Sequence, residues 1–160
     1  MFSILLVAMT MMPQESPTRH VRADAPEIAA IIRAGTSGSP TFRRLIAALD
    51  ESDVIVYVEP KLTPSGLGGY LSHAVVVTGS HRFLRVFLET SGTRRHVASV
   101  LAHELQHVIE VARAPEARDS ASVTRLFATL AVVFGCDREN CFETQAARDV
   151  EALVLREMRR

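Results

Sequence analysis

The chain has 160 residues, of which 48% are hydrophobic and 22% charged, and this length is sufficient to bury one hydrophobic core. Lysine and arginine together number 18, as do aspartate and glutamate, so the formal net charge is zero. Because the basic residues are scattered along the chain, we expect no phosphate-binding face and no nucleic-acid partner. One compact domain over residues 23–160 is the expectation.

Residues 1–22 are expected to lie outside that domain. The segment from Phe2 to Met12 is apolar apart from Ser3 and Thr10, a length typical of the hydrophobic part of a signal peptide. It is too short to cross a membrane comfortably, but it would provide membrane association if it were not cleaved. The sequence therefore predicts export to the periplasm or the extracellular space, with a cytoplasmic location as the alternative.

Two helices are predicted before the first strand. Asp24 is placed to cap the first, which is expected to end at Gly35. Ser39 is expected to cap the second, with Pro40 in the first turn and apolar residues at helical spacing as far as Leu49.

Three strands are predicted next. Residues 54–58 are mostly β-branched and apolar, which is typical of a central strand. After a loop at 61–69 that is rich in proline and glycine, segments 70–78 and 82–89 flank a short turn at 79–81. These two segments are predicted to form an antiparallel hairpin.

From Thr93 onward the chain is predicted to be helical, with helices over about 93–113, 123–134 and 143–158. Helices at both ends and an antiparallel or mixed sheet of about three strands indicate an α+β fold. In this fold the sheet is expected to pack on the helix of residues 93–113.

That helix carries the sequence His103-Glu104-Leu105-Gln106-His107, which has the HExxH spacing of zinc hydrolases. Histidines four residues apart lie about 40° apart around a helix and one turn apart along it, so both can bind one metal ion. Glu104 is displaced to the side, where it can accept a proton from water at the ion. Buried imidazoles and carboxylates need partners, and a shared cation is the simplest partner for these three side chains.

A catalytic zinc ion usually has three protein ligands, so a third has to be found. Glu143, at the start of the last predicted helix, is favoured because it can approach from a different direction than the histidines. Glu110 is the alternative, either as third ligand or as a hydrogen-bond partner of a ligating histidine. It lies on the same face as His103, and three ligands from one straight helix surround an ion poorly.

With these residues the chain resembles the zincin metallopeptidases. Among these it is most similar to the gluzincins, in which a second helix presents a glutamate as third zinc ligand. The resemblance covers residues 103–107 strongly and Glu143 to Ala146 weakly, where the sequence looks like the start of an ExxAD pattern. Ala147 stands where that pattern has aspartate, so the partner that would orient a zinc-binding histidine is not identified.

The resemblance implies a small zincin-like domain and a zinc metallopeptidase that cleaves peptide or protein substrates. His103, His107 and Glu143 would bind Zn²⁺, and Glu104 would act as general base. A catalytically idle zincin-like domain that binds a metal or a partner is the alternative, which the intact Glu104 disfavours. The donor that stabilises negative charge on the substrate stays open, and the candidates by residue type are Tyr70, His73, His81 and Arg125.

Two cysteines, Cys136 and Cys141, are separated by four residues, which permits a small local disulfide in an oxidising compartment. Such a disulfide would agree with export, whereas in a reducing compartment both residues would be thiols.

Overall fold

The structure is a computed structural model that describes residues 18–63, 67–131 and 142–159. Within these ranges five helices and a mixed five-stranded sheet form an α+β domain, which confirms the predicted class. In chain order the elements are β1 (Val21–Ala23), α1 (Pro26–Gly38), α2 (Pro40–Asp50), β2 (Val54–Pro60), β3 (Gly69–Leu71), β4 (Val76–Thr78), β5 (His81–Leu88), α3 (Arg94–Ala112), α4 (Ser120–Leu130) and α5 (Gln145–Glu157). No helix in these ranges combines the length and apolarity needed to span a membrane.

The sheet is larger than predicted. Strands β1, β2 and β5 are parallel neighbours in that order, so β2 is central as expected. The single strand predicted over 70–78 is wrong, because β3 and β4 are separate strands that both pair antiparallel with β5. Strand β1 was not predicted, since it has only three residues and its pattern carries little apolar alternation.

The predicted hairpin turn is present between β4 and β5, where Gly79 has a φ of 59°. This value lies in the left-handed region, which glycine adopts at no steric cost. The hairpin is therefore short, with three residue pairs next to the turn.

The ends of the first two helices differ in part from the prediction. Asp24 does not cap α1, because Ala25 occupies the N-cap position and provides no side-chain hydrogen bond. Gly35 does not end the helix but allows close packing, since a Cβ there would lie 2.7 Å from the ring of Phe42. Ser39 caps α2 as predicted, and its hydroxyl accepts a hydrogen bond from the backbone N–H of Phe42 at 2.9 Å.

Helix α3 lies between the sheet and α5, and it also contacts α1 and α2. The sheet presents an apolar inner face, because alternate residues of β2 and β5 point toward the helices. These inner residues are fully buried: Val54, Val56, Val58, Leu84, Val86 and Leu88. Since α3 is surrounded on several sides, most of its residues are buried, including residues 104–107 of the HExxH segment, whereas His103 is partly exposed.

Helix α5 begins and ends within two residues of its predicted bounds, whereas α4 begins three residues earlier than predicted and ends at Leu130 because Ala131 is extended. Thr144 caps α5, so Glu143 precedes this helix rather than starting it. At the other end of α5, the carboxylate of Glu157 accepts hydrogen bonds from the backbone N–H and the hydroxyl of Thr41, at 3.0 and 2.9 Å. The proposed disulfide of Cys136 and Cys141 and the apolar segment 2–12 lie outside the described residues.

Candidate metal centre

His103 and His107 lie one turn apart on α3 and turn toward each other. Their Nε2 atoms are 3.2 Å apart, and their rings are nearly perpendicular with centroids 4.9 Å apart. Two Nε2 atoms at this distance can share one proton or bind one cation between them. The hydrogen bonds at the two Nδ1 atoms determine which ring nitrogens carry hydrogen.

Each imidazole places Nδ1 against a carboxylate. Nδ1 of His103 is 3.0 Å from Oε2 of Glu151, and Nδ1 of His107 is 2.9 Å from Oε2 of Glu110. The hydrogen bond from His103 lowers the pKa of Glu151. Burial alone would raise the pKa of Glu110, but its hydrogen bond from His107 and those from Thr144 and Gln106 lower it. Both carboxylates are therefore ionised acceptors, so both Nδ1 atoms carry hydrogen and a neutral imidazole has a free lone pair at Nε2.

A third acceptor reaches the same place from outside α3. Oε1 of Glu143 lies 3.3 Å from Nε2 of His103. One possible metal-ligand atom from each of His103, His107 and Glu143 lies within 4.8 Å of the other two. Although 3.3 Å is short, this contact lacks hydrogen-bond geometry, and Oε1 is buried with no hydrogen-bond partner among the described residues. Converging acceptors without a donor are costly unless a cation joins them, so this group could hold a metal ion.

In the absence of a metal, a proton is favoured at the same place. Burial lowers the pKa of His103, but the hydrogen bond to Glu151 and the charges of Glu104 and Glu143 outweigh it and raise the pKa above its ordinary value. The carboxylates around the histidines thus attract positive charge whether a proton or a metal supplies it.

Glu104 lies beside the histidines and is almost completely buried. Burial raises the pKa of its carboxyl group, while the neighbouring His103 and His107 and the backbone of Leu71 in β3 oppose that rise. A carboxyl group with a raised pKa next to a metal site is better suited to exchange protons near neutral pH than an exposed one.

Glu151 is the functional candidate that sequence reasoning missed. The resemblance led to an aspartate at position 147, but Ala147 is buried and has no polar side chain. Glu151 lies four residues later, on the same face of α5, and its longer side chain reaches His103. A search one helical turn beyond Ala147 would have found it.

Glu110 is placed as a hydrogen-bond partner of His107 and does not belong to the group formed by His103, His107 and Glu143. Its Oε2 faces Nδ1 of His107, and its Oε1 accepts a hydrogen bond from the hydroxyl of Thr144 at 2.8 Å. Glu110 therefore connects α3 to the N-cap of α5, next to Glu143.

Of the four candidates for a substrate-stabilising donor, Tyr70 and His81 make contacts elsewhere. The Tyr70 hydroxyl accepts a hydrogen bond from Lys61 at 2.8 Å, and His81 contacts the ring of His20 near the hairpin turn. Arg125 is exposed on α4. None of these contacts involves the residues of the metal centre.

His73 is different, because the ring of Phe127 that stacks on it also contacts His107. Its Nδ1 is 3.1 Å from the hydroxyl oxygen of Thr124, and its ring stacks on Phe127 and Phe142 with centroid distances of 5.5 and 5.8 Å. Burial lowers the pKa of His73, and the nearby His107 lowers it further.

Comparisons of the chain with protein-family models, with curated proteins and with solved structures find no match. The functional argument therefore depends on the geometry of these side chains.

Proposed function

We propose that this protein is a zinc-dependent metallopeptidase of the zincin type, with His103, His107 and Glu143 as metal ligands and Glu104 as general base. The observation that supports this most is the convergence of two Nε2 lone pairs and a buried carboxylate oxygen that has no partner among the described residues. Two histidines and one glutamate are a donor set found at catalytic zinc sites. Glu151 and Glu110 would orient the histidines, as carboxylates commonly do for zinc ligands.

The chemistry divides between the metal and the chain. Bound zinc would act as a Lewis acid and lower the pKa of water to about 7. Glu104 would accept a proton from the attacking water and deliver it to the leaving amine. Its burial suits the first step, because a raised pKa makes the carboxylate a stronger base.

The strand beside the motif helix supports a peptide as the substrate. Among the described residues β3 lies at an edge of the sheet. The neighbouring residues along the chain direct their backbone groups toward β5, so the backbone groups of Gly69 and Leu71, at the alternate positions, face away from β5. An extended peptide can add to such an edge through main-chain hydrogen bonds. The backbone N–H of Leu71 already hydrogen-bonds to Glu104, so a peptide that paired with Gly69 would lie beside the general base. Export through segment 2–12 remains part of the proposal.

The test compares metal content and peptide hydrolysis in the full chain, purified without chelator, and in a Glu104→Gln variant. We expect about one zinc per wild-type chain and cleavage within a peptide library. In Glu104→Gln we expect retained zinc but a loss of hydrolysis of about 10²- to 10⁴-fold, the range for removal of a general base. Glu116→Gln, at an exposed glutamate just beyond α3, is the matched control and should keep full activity.

Three outcomes would contradict the proposal. If wild-type protein contained no bound metal, the proposed metal site would be wrong. If Glu104→Gln kept full activity, Glu104 would not be the general base. Zinc binding without cleavage of any library peptide would instead identify an idle metal-binding domain.

A further inference from the structure

Strand β3 is a short segment whose position depends on helix α3 as well as on the sheet. Leu71 pairs with Val86 of β5, and Val76 pairs with Phe83, so the four residues 72–75 lie opposite only two residues of β5. The two extra residues form a bulge that separates β3 from β4. Because β3 has three residues and pairs only with β5 among the described strands, its contacts with α3 also fix where it lies.

Two glycines let the chain at the start of β3 approach α3 closely. A Cβ at Gly68 would lie 3.0 and 3.1 Å from the two γ-carbons of Val100, and a Cβ at Gly69 would lie 3.3 Å from one of them. A valine in a helix has one strongly preferred rotamer, so Val100 cannot easily turn its methyl groups aside. A side chain at Gly68 would therefore push the start of β3 away from the helix.

The same strand contacts the general base one turn farther along the helix. The backbone N–H of Leu71 faces away from β5 and hydrogen-bonds to the carboxylate of Glu104. Val100 and Glu104 are four residues apart, so they lie on one face of α3, about 6 Å apart along its axis. Gly69 and Leu71 are two residues apart, which is about 6.6 Å along a strand. Strand and helix therefore run side by side between the two contacts.

The hydrogen bond from Leu71 orients the carboxylate of Glu104. A carboxylate has two oxygen atoms, so an N–H held at one of them limits rotation and leaves the other for a water molecule. Donation to a carboxylate also favours its ionised form, which is the form that accepts a proton. Because this N–H belongs to the backbone, its position depends on where β3 lies. The distance between β3 and α3 therefore determines whether the bond forms.

We propose that Gly68 is a positioning residue for the general base. Its lack of a side chain lets β3 lie close enough to α3 for the backbone N–H of Leu71 to hold the carboxylate of Glu104. This inference rests on the proposed peptidase function. A displaced β3 would leave the proposed metal ligands in place, since they lie on α3 and before α5, so the effect is expected on kcat rather than on zinc binding.

The first measurement needs neither metal nor activity. Amide hydrogen exchange, followed by NMR in the metal-free protein, reports whether the N–H of Leu71 is bonded. We expect this N–H to be protected in wild type although it faces away from β5, and its protection to fall about tenfold or more in Glu104→Ala and in Gly68→Ala. The N–H of Tyr70, at the alternate position that faces β5, should keep its protection within about twofold.

The second measurement is a double-mutant cycle on the zinc-loaded protein. Gly68→Ala adds a methyl group, and Val100→Ala removes the two γ-carbons that this group would meet. We expect Gly68→Ala to lower kcat about tenfold, with a smaller change in KM and unchanged zinc content. In the Val100→Ala background the same substitution should cost less than about twofold in kcat, because the room is restored.

Gly35→Ala is the matched control, because it creates a similar clash between α1 and α2. A Cβ at Gly35 would lie 2.7 Å from the ring of Phe42. This variant should lower the melting temperature at least as much as Gly68→Ala does, since overpacking a core is destabilising. It should leave kcat unchanged, so a loss of stability alone is distinguished from a displaced general base.

The assignment is overturned if Gly68→Ala keeps the wild-type kcat, if it loses zinc, or if its cost is the same with and without Val100→Ala. It is also overturned if Gly35→Ala lowers kcat as much, or if exchange of the Leu71 amide does not depend on Glu104. These outcomes leave the proposed function intact as long as wild-type protein binds zinc and hydrolyses peptides and Glu104→Gln does not hydrolyse them. If wild-type protein hydrolyses no peptide, the peptidase proposal and this assignment fail together.

Discussion

Two groups of buried charges contact helix α3, and they differ in whether their hydrogen bonds are complete. Near the C-terminal end of α3, the buried guanidinium of Arg82 donates to both carboxylate oxygens of Asp53, at 2.8 and 2.7 Å. It also donates to four backbone carbonyls at or just beyond the end of α3, those of Val111, Ala112, Ala114 and Ala117.

In the middle of the same helix, Oε1 of Glu143 is buried without a hydrogen-bond partner among the described residues, beside the paired imidazoles of His103 and His107. The guanidinium network satisfies carbonyls that a helix end leaves unpaired, so it stabilises the fold without a ligand. The histidine group is complete only when a cation is supplied. Complete pairing therefore indicates a structural role, and incomplete pairing indicates a binding site.

The largest effect on stability is expected at the complete network. Arg82→Ala leaves several buried carbonyls without donors, and each unsatisfied buried acceptor costs about 1 to 3 kcal/mol, so we expect a loss of at least about 3 kcal/mol. Urea unfolding of the metal-free protein measures this loss. Arg85→Ala is the matched control on the same strand, because Arg85 is largely exposed and its ion pair with Glu59 is 3.4 Å long.

The control substitution should cost less than about 1 kcal/mol, as exposed ion pairs usually do. If Arg82→Ala were as mild as Arg85→Ala, the carbonyls would be satisfied by water, and the contrast between the two charge groups would fail.

An intermediate effect is expected at the carboxylates that hold the histidines. Glu151→Gln keeps the size of the side chain but weakens the acceptor for Nδ1 of His103, so zinc affinity should fall about 10- to 100-fold. Chelator competition measures this affinity. Asp149→Asn, at an exposed position of the same helix, should leave it unchanged, and equal affinities for the two variants would mean that Glu151 does not orient a ligand.

The smallest effect concerns pH. The hydrogen bonds from Arg82 lower the pKa of Asp53 below its ordinary value of 3.8. A carboxyl group with a lower pKa in the folded state stabilises the protein above its unfolded pKa, and this contribution is lost as the pH falls through the folded pKa. We expect the free energy of unfolding to decrease below about pH 4 and the decrease to be smaller in Asp53→Asn.

The size of this effect is limited because the Asp53 side chain is 38% exposed. Unfolding curves at a series of acidic pH values compare the two proteins, and identical slopes would show that the ion pair does not contribute to acid sensitivity.

Local sequence patterns predicted the structural features that depend on residues close together in the chain. The helical spacing of His103 and His107 and the cap at Ser39 follow from contacts within a few residues. The position of Arg82 on the inner face also has a local signal, because Arg82 alternates with the buried residues Leu84 and Val86.

Features that depend on contacts distant along the chain were harder to predict. Glu151 is 48 residues from its partner His103, and no local pattern links the two. The bulge at 72–75 depends on the register against β5, which an apparently continuous strand does not reveal. The fold class was therefore predictable, whereas the details of the site came from tertiary packing.

The bulge at 72–75 also affects self-association. A continuous edge from 69 to 78 would offer a long row of unpaired backbone groups to another molecule, next to the exposed valines at 76 and 77. Because the bulge divides this edge, each piece has only three strand residues. An extended fibril-like contact between copies is interrupted, so the same irregularity limits aggregation.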